Sequence, residues 1–322
     1  MADHTVEISS KGIGVRVSAL VVDGATLIVK GRFPRVASVH DEAWLETEIE
    51  DPRACLKQLK VGGPDHLRAD IFTFTQRVPA TWPKYEYPVE WDNVAAVPVA
   101  TFDHWWTKQI DAKTRNMVRK AEKKGVEVRE VPFDDTLVKG IAGLYNECPM
   151  RQGKPFWHYG KDLPTVRREN ETFLNRSILI GAFLNGSMIG FAKLVRDGQG
   201  IQAGLMQIVS MIQHRDKAPT NALIAQAVRS CADRGIRYLL YANFGYGKKQ
   251  RDSLSDFKER NGFQRIELPR YYIPLTLLGW TALRLGLHHP LAERIPEPVL
   301  AKLRELRSAW YNRKFPSVTR AF

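Results

Sequence analysis

The stretch Ser177-Ile178-Leu179-Ile180-Gly181-Ala182-Phe183-Leu184-Asn185-Gly186-Ser187-Met188-Ile189-Gly190-Phe191-Ala192-Lys193-Leu194-Val195 decides the fold. Two apolar runs, Ile178 to Leu184 and Met188 to Val195, flank Asn185-Gly186. Both residues of that pair tolerate positive φ, so an Asn-Gly between apolar runs predicts a tight antiparallel hairpin. Reading onward, Asp197-Gly198 predicts a second turn and 201–211 a third strand. A connection at 214–219 opens a helix over 220–234, and Gly235 is placed to cap it. An apolar strand over 236–242, a glycine and lysine loop over 244–251, a helix over 253–261 and a strand over 263–268 complete the run. The predicted order is β-β-β-α-β-α-β.

Reading backward, 134–146 and 166–175 are predicted helices, and 150–163 is an aromatic, basic loop. Residues 102–125 form one long helix or a pair, with Gly125 as C-cap before a strand at 126–131. Residues 78–93 carry Pro79, Pro83 and Pro88 among Trp82, Tyr85, Tyr87 and Trp91, and predict a packed loop. Short strands are predicted across 4–40, a helix at 51–60 opened by Pro52, and an alternating strand at 70–76.

The chain has 322 residues, 44% of them hydrophobic, enough for about two domains with real cores. The formal net charge of +13 favours anionic partners: a phosphate-bearing small molecule or carrier, RNA, or an anionic membrane surface. Cys55, Cys148 and Cys231 form no CxxC pair, which argues against a disulfide framework and fits a reducing, cytoplasmic setting. No metal-ligand spacing, HExxH or GxSxG appears, and no metal is expected. The opening residues do not read as a signal peptide, and no apolar run is long enough to span a bilayer. After residue 270 the chain alternates helical patterns with prolines, ending in a basic amphipathic segment at 299–312. That tail suits packing across the core better than peripheral membrane contact.

The order over 178–268, with Asn261-Gly262-Phe263 near its end, resembles the second half of a GNAT (acyl-CoA N-acyltransferase) domain. Two further places are similar to the Fem-type branch of that superfamily: the basic segment Lys113 to Gly125 and the pair Phe257-Lys258. The resemblance implies an α/β fold on a mixed sheet (α+β in its strand directions), with two GNAT-like halves. Residues 1–165 would be a degenerate first half, 166–272 the acyltransferase core, and 273–322 a basic tail. It further implies an acyl or aminoacyl transferase, whose donor is acyl-CoA or aminoacyl-tRNA and whose acceptor is an amine.

GNAT enzymes that use acyl-CoA carry a Q/R-x-x-G-x-G/A loop before the phosphate-facing helix. Gln213-His214-Arg215-Asp216-Lys217-Ala218 matches at Gln213 and Ala218 but has Asp216 where a glycine belongs. With Thr220 and Asn221 these residues make the cofactor-binding candidates, or an ordinary strand-to-helix connection capped by Thr220 or Asn221. Lys258 is the catalytic candidate that the Fem likeness implies, stabilising the oxyanion of the acyl-transfer intermediate, with Phe257 packing beside it. Tyr241 or Tyr246 is a candidate general acid, and Asn243 lies between them. In the 146–159 loop, Glu147 is a candidate general base, while Arg151, Trp157 and His158 are candidate substrate contacts. Lys154 joins Arg151 as a grip for an anionic acceptor. Cys148 with His158 is a weaker nucleophile-and-base pair, because no third orienting group is evident. The competing reading is a non-catalytic GNAT-like module that binds an anionic ligand or RNA, and Asp216 is the feature pointing to it.

Overall fold

In the computed structural model Asn185 and Gly186 take φ of 50° and 78°, and the turn they make joins two antiparallel strands at the predicted place. The structure describes residues 4–10, 13–60, 67–151, 153–245 and 253–289, with Val299, Lys302 and Leu306. The chain divides into two units: Met1–Val94 with Ile266–Arg294, and Ala95–Arg265 with Ile295–Phe322.

The first unit opens with β1 (His4–Ser10), β2 (Ile13–Val22), β3 (Ala25–Lys30) and β4 (Val36–Val39). Helix α1 (Pro52–Lys60) and strand β5 (Ile71–Thr75) follow. Strand β6 (Val89–Pro98) begins in this unit and ends in the second. The sequence predicts a loop as far as residue 93; the strand starts earlier because Pro88 already holds an extended backbone and a proline is tolerated at a strand's threshold.

The second unit starts with α2 (Phe102–His104), a π-turn at Trp105–Gln109 and α3 (Ala112–Lys123). The predicted helix over 102–125 is therefore a pair, broken where Asp111 becomes an N-cap accepting from the Thr114 N–H. Next come β7 (Val126–Glu130), α4 (Asp135–Asn146), a two-stranded ribbon of β8 (Met150–Arg151) and β9 (Lys154–Pro155), and α5 (Leu163–Asn170). The core strands are β10 (Ser177–Leu184), β11 (Ser187–Arg196) and β12 (Gln202–Ser210). Helix α6 (Pro219–Ala232), strand β13 (Tyr238–Leu240) and helix α7 (Ser253–Arg260) complete it. Strand β14 (Gln264–Pro274) and helix α8 (Leu277–Arg284) then return to the first unit.

Within the second unit the strand order is β6-β13-β12-β11-β10-β7. Neighbours in this order pair antiparallel except β12 with β13. That parallel register covers only Gln202–Gly204 against Tyr238–Leu240. Beyond it β12 stays with β11 as far as Ser210, while the Tyr241 N–H turns to the Ala95 carbonyl. The two parallel strands thus part and leave a mouth at their C-terminal ends, which is where open α/β sheets bind ligands. Parting also explains why β13 is shorter than the predicted strand over 236–242: Ala242 already takes φ of 46°.

Helix α6 closes one face of this sheet. Its Leu223, Ile224, Ala227, Val228 and Cys231 are buried in one cluster with Ile180, Ile189, Leu194 and Leu205. Burying five such side chains supplies several kcal/mol at roughly 25 cal/mol per Å² of apolar surface. The other face carries α4, whose Leu137, Ile141, Leu144 and Tyr145 pack with Phe191 and Val209. In the first unit, β14 pairs with β5, and Phe72, Phe74 and Tyr271 form an aromatic core. No helix among the described residues is long and apolar enough to cross a membrane.

Candidate active site

On the β13 side of the mouth stands Lys258. It lies on α7, is 0% exposed, and its ammonium donates to the Asn243 carbonyl at 2.6 Å. The same nitrogen sits 4.6 Å from the centre of the Tyr241 ring, a cation–π distance. Phe257, beside it in sequence, packs with Tyr241 against the main core. A buried lysine is rare unless its charge is answered, and here a carbonyl and an aromatic face answer it. Of the residues predicted from sequence, Tyr241, Asn243, Phe257 and Lys258 come together here, whereas Tyr246 lies outside the described residues.

Asn261 holds this corner in place. The turn after α7 needs Gly262 at φ of 85°, and the Trp105 indole N–H donates to the Asn261 carbonyl at 3.1 Å. A Cβ on Gly262 would come within 3.0 Å of that indole nitrogen. The Asn261 side chain donates to the Phe257 carbonyl and accepts from Asn221 Nδ2 at 3.1 Å. Asn221 therefore braces α6 against α7. Its neighbour Thr220 shares a 2.7 Å hydroxyl hydrogen bond with Ser210 at the end of β12. Neither residue caps α6: Ala218, at φ of 55°, occupies that position and Pro219 opens the helix.

On the β12 side the connection over Ile212–Lys217 is a 3₁₀ turn rather than a glycine loop. Its backbone donors have internal acceptors. Glu147 accepts from the Ile212 and Gln213 N–H groups at 2.8 and 2.9 Å, the His214 N–H goes to Met211, and the Ala218 N–H to Arg215. The Gln213 side chain turns back to the Met211 sulfur. His214, Arg215 and Lys217 lie on the turn, and Lys217 is drawn to Asp216 at 3.3 Å. That hydrogen bond holds the Asp216 carboxyl below the usual carboxylate range.

Glu147 also receives Arg151, at 2.9 Å. Arg151 further donates to the Leu144 and Ser210 carbonyls and lies 4.6 Å above the Phe156 ring. Burial pulls its guanidinium down in pKa, opposed by Glu147. Glu147 and Arg151 thus form a brace between α4, the β8–β9 ribbon and the end of β12.

Behind the brace is a cluster that sequence reading reached only in part. His158 stacks on Tyr145 at 4.3 Å between ring centres. Burial first, and Lys161 second, push the imidazole down to about 4, so it is neutral at physiological pH. Lys161 pairs with Glu169 at 2.5 Å and lies 4.7 Å from the Trp157 ring centre, and Trp157 is 56% exposed. Cys148 donates its S–H to the Met150 carbonyl rather than to His158. Lys193, central in β11, is also buried; its ammonium donates to the Asn170 and Thr172 carbonyls, and burial pushes it down to about 8. Neither Tyr145 nor Lys193 is separable in sequence from the core residues around it.

Helix α3 presents Lys113, Arg119, Lys120, Lys123 and Lys124 to solvent. Arg115 is used internally, donating to the Trp106 and Ile110 carbonyls.

No family model matches the chain, and no curated protein matches it. Solved structures do resemble it. The C-terminal domain of a chain ascribed to lysylphosphatidylglycerol synthetase from Agrobacterium fabrum superposes with a TM-score of 0.55 at 13% identity, covering 83% of this chain and 86% of that one. FemX gives 0.54 at 12%, covering 83% and 87%. L-PGS from Bacillus licheniformis gives 0.52 at 13%, again covering 83% and 87%. At these identities the likeness speaks for the fold alone, a GNAT-like fold on a mixed α/β sheet.

Proposed function

We propose that this chain transfers an aminoacyl group from a charged tRNA to an amine acceptor, by direct attack within a complex of both substrates. The observation that carries the reading is Lys258, a wholly buried ammonium at the parted end of β13, in the position the Fem likeness implies for oxyanion stabilisation. The amine lone pair attacks the ester carbonyl carbon, a C–N bond forms, and the carbonyl oxygen takes up negative charge. Lys258 stabilises that charge from a site of low dielectric, where a fixed cation acts most strongly. Collapse breaks the ester C–O bond, and the proton lost by the amine passes to the departing ribose oxygen. Tyr241 and Tyr246 are the side chains proposed to relay it.

The filled turn at 212–217 favours tRNA over acyl-CoA. A pyrophosphate needs backbone N–H donors at this position. Glu147 and the 3₁₀ hydrogen bonds already take those of Ile212, Gln213, His214 and Ala218. The exposed cations of α3 and Arg215 suit a longer polyanion, whose attraction is sequence-blind. Trp157 with Lys161 offers the acceptor an exposed aromatic face.

The test supplies the full chain with a pool of charged tRNAs, or with acetyl-CoA and longer acyl-CoAs, and measures labelled acyl transfer to amines. Transfer from charged tRNA is expected. Transfer only from acyl-CoA overturns the donor. Salt-dependent tRNA binding without transfer from any donor points instead to the non-catalytic module.

A further inference from the structure

Two adjacent imidazoles and a carboxylate in the first unit lie outside everything argued so far. Leu287 donates its N–H to the Ala282 carbonyl and Gly286 takes φ of 64°, so the chain bends sharply as it leaves α8. The bend sets His288 and His289 side by side, their ring centres 3.9 Å apart. Both face one residue, Glu90, near the start of β6. His288 Nε2 lies 2.7 Å from one carboxylate oxygen and His289 Nε2 lies 3.1 Å from the other. The three donor atoms all fall within 4.8 Å of one another.

His288 is 3% exposed, and its Nδ1 is buried without a hydrogen-bond partner. The ring is held by its Nε2 contact and by packing with Tyr272 at 4.7 Å and His289 at 3.9 Å. A divalent cation seated between the two Nε2 atoms and the carboxylate would take the place of these hydrogen bonds, since both imidazoles bind it neutral and the carboxylate binds it charged.

We propose that Glu90, His288 and His289 form a site for a divalent transition metal of the zinc class. Zinc–nitrogen and zinc–oxygen bonds of about 2.0–2.2 Å on a tetrahedron put ligand atoms about 3.3 Å apart; the His289 contact at 3.1 Å is near this, and the His288 contact at 2.7 Å has to open to admit the ion. Imidazole and carboxylate together suit zinc and its first-row neighbours, not magnesium or calcium. Glu90 is 41% and His289 34% exposed, which leaves the fourth position to water. The site ties the turn after α8 to the start of β6, so its effect is to clamp that segment.

Sequence reading misses it, because the two histidines are adjacent and Glu90 stands 198 positions before His288. The test titrates untagged, chelator-treated full-length protein with cobalt(II), following ligand-field absorbance, and then displaces cobalt with zinc. Saturation at one equivalent is expected, along with a melting temperature that rises with zinc. His288→Ala should abolish both effects, and Glu90→Gln should weaken binding by more than the roughly 10–100-fold that an outer-shell partner is worth. His40→Ala should change neither. If His288→Ala fails to fold, the Glu90→Gln titration decides. No saturable absorbance in the parent protein, or binding unchanged by Glu90→Gln, overturns the site.

Discussion

The two sides of the mouth between β12 and β13 are built on opposite principles. On the β13 side, a cation is buried in the protein and answered by a carbonyl and a ring, Asn243 and Tyr241. On the β12 side, a carboxylate from α4 reaches across and occupies backbone donors that this fold otherwise offers to an anion. One side buries the lysine proposed to stabilise the oxyanion; the other has committed two N–H donors to Glu147. The contrast separates chemistry from donor grip: acyl transfer asks for the first, and tight binding of a pyrophosphate asks for the second.

The sharpest way to break the comparison is Lys258→Met, which keeps most of the volume and removes the charge. Loss of one preorganised oxyanion stabiliser costs about 10²–10³-fold in kcat. The variant should lose transfer to that extent while its KM for the charged tRNA stays within a few-fold. A variant that folds, as judged by its melting curve, and keeps full activity removes Lys258 from the mechanism.

Glu147→Ala attacks the other side and should act on stability first. It strips the partner from a half-buried guanidinium and bares the Ile212 and Gln213 N–H groups. Breaking a buried pair by removing one partner costs about 3–5 kcal/mol, and the low end fits a pair with some solvent contact. Denaturant unfolding measures it. If stability is unchanged, the brace is decorative and the filled-turn argument fails with it.

The third probe is pH. His158 titrates at about 4 in the folded protein against 6.5 for a free imidazole. The unfolded chain therefore binds the proton first, and folding stability falls as pH drops from 6.5 through 4. At 1.36 kcal/mol per unit the contribution is at most about 3 kcal/mol. His158→Phe, which keeps the stack on Tyr145, should flatten the acid limb of the stability curve. An unchanged limb would place the proton elsewhere in the Lys161–Glu169 cluster.

How much of this was legible beforehand follows from the range of each interaction. The Asn185-Gly186 hairpin, Gly125 and Gly235 were readable because turn chemistry is local. The start of β6 was hidden by Pro88 and the aromatics before it, and the parting of β13 by an apolar run that gives no sign of where its ladder ends. In the site, Phe257-Lys258 stood out through resemblance, and the structure brings Tyr241 and Asn243 to it. Glu147 stood out as a reactive side chain in a loop. Its partners at Ile212 and Gln213 are backbone N–H groups 65 and 66 positions away, and no side-chain pattern encodes a backbone donor.

The smallest effect is expected from Asp216→Gly, and it bears most directly on the donor. Asp216 is 63% exposed on its side chain and paired with Lys217, so removing it should move stability by no more than about 0.5 kcal/mol. Its loss frees Lys217 and restores the residue an acyl-CoA loop would carry. If Asp216 alone excluded the pyrophosphate, the single variant would gain measurable acetyl-CoA binding by calorimetry. If Glu147 is the true obstacle, the single variant stays blind to acetyl-CoA while Glu147→Ala/Asp216→Gly gains it. The second outcome is expected, because an exposed carboxylate can swing aside in water whereas two donors already in hydrogen bonds cannot be offered twice.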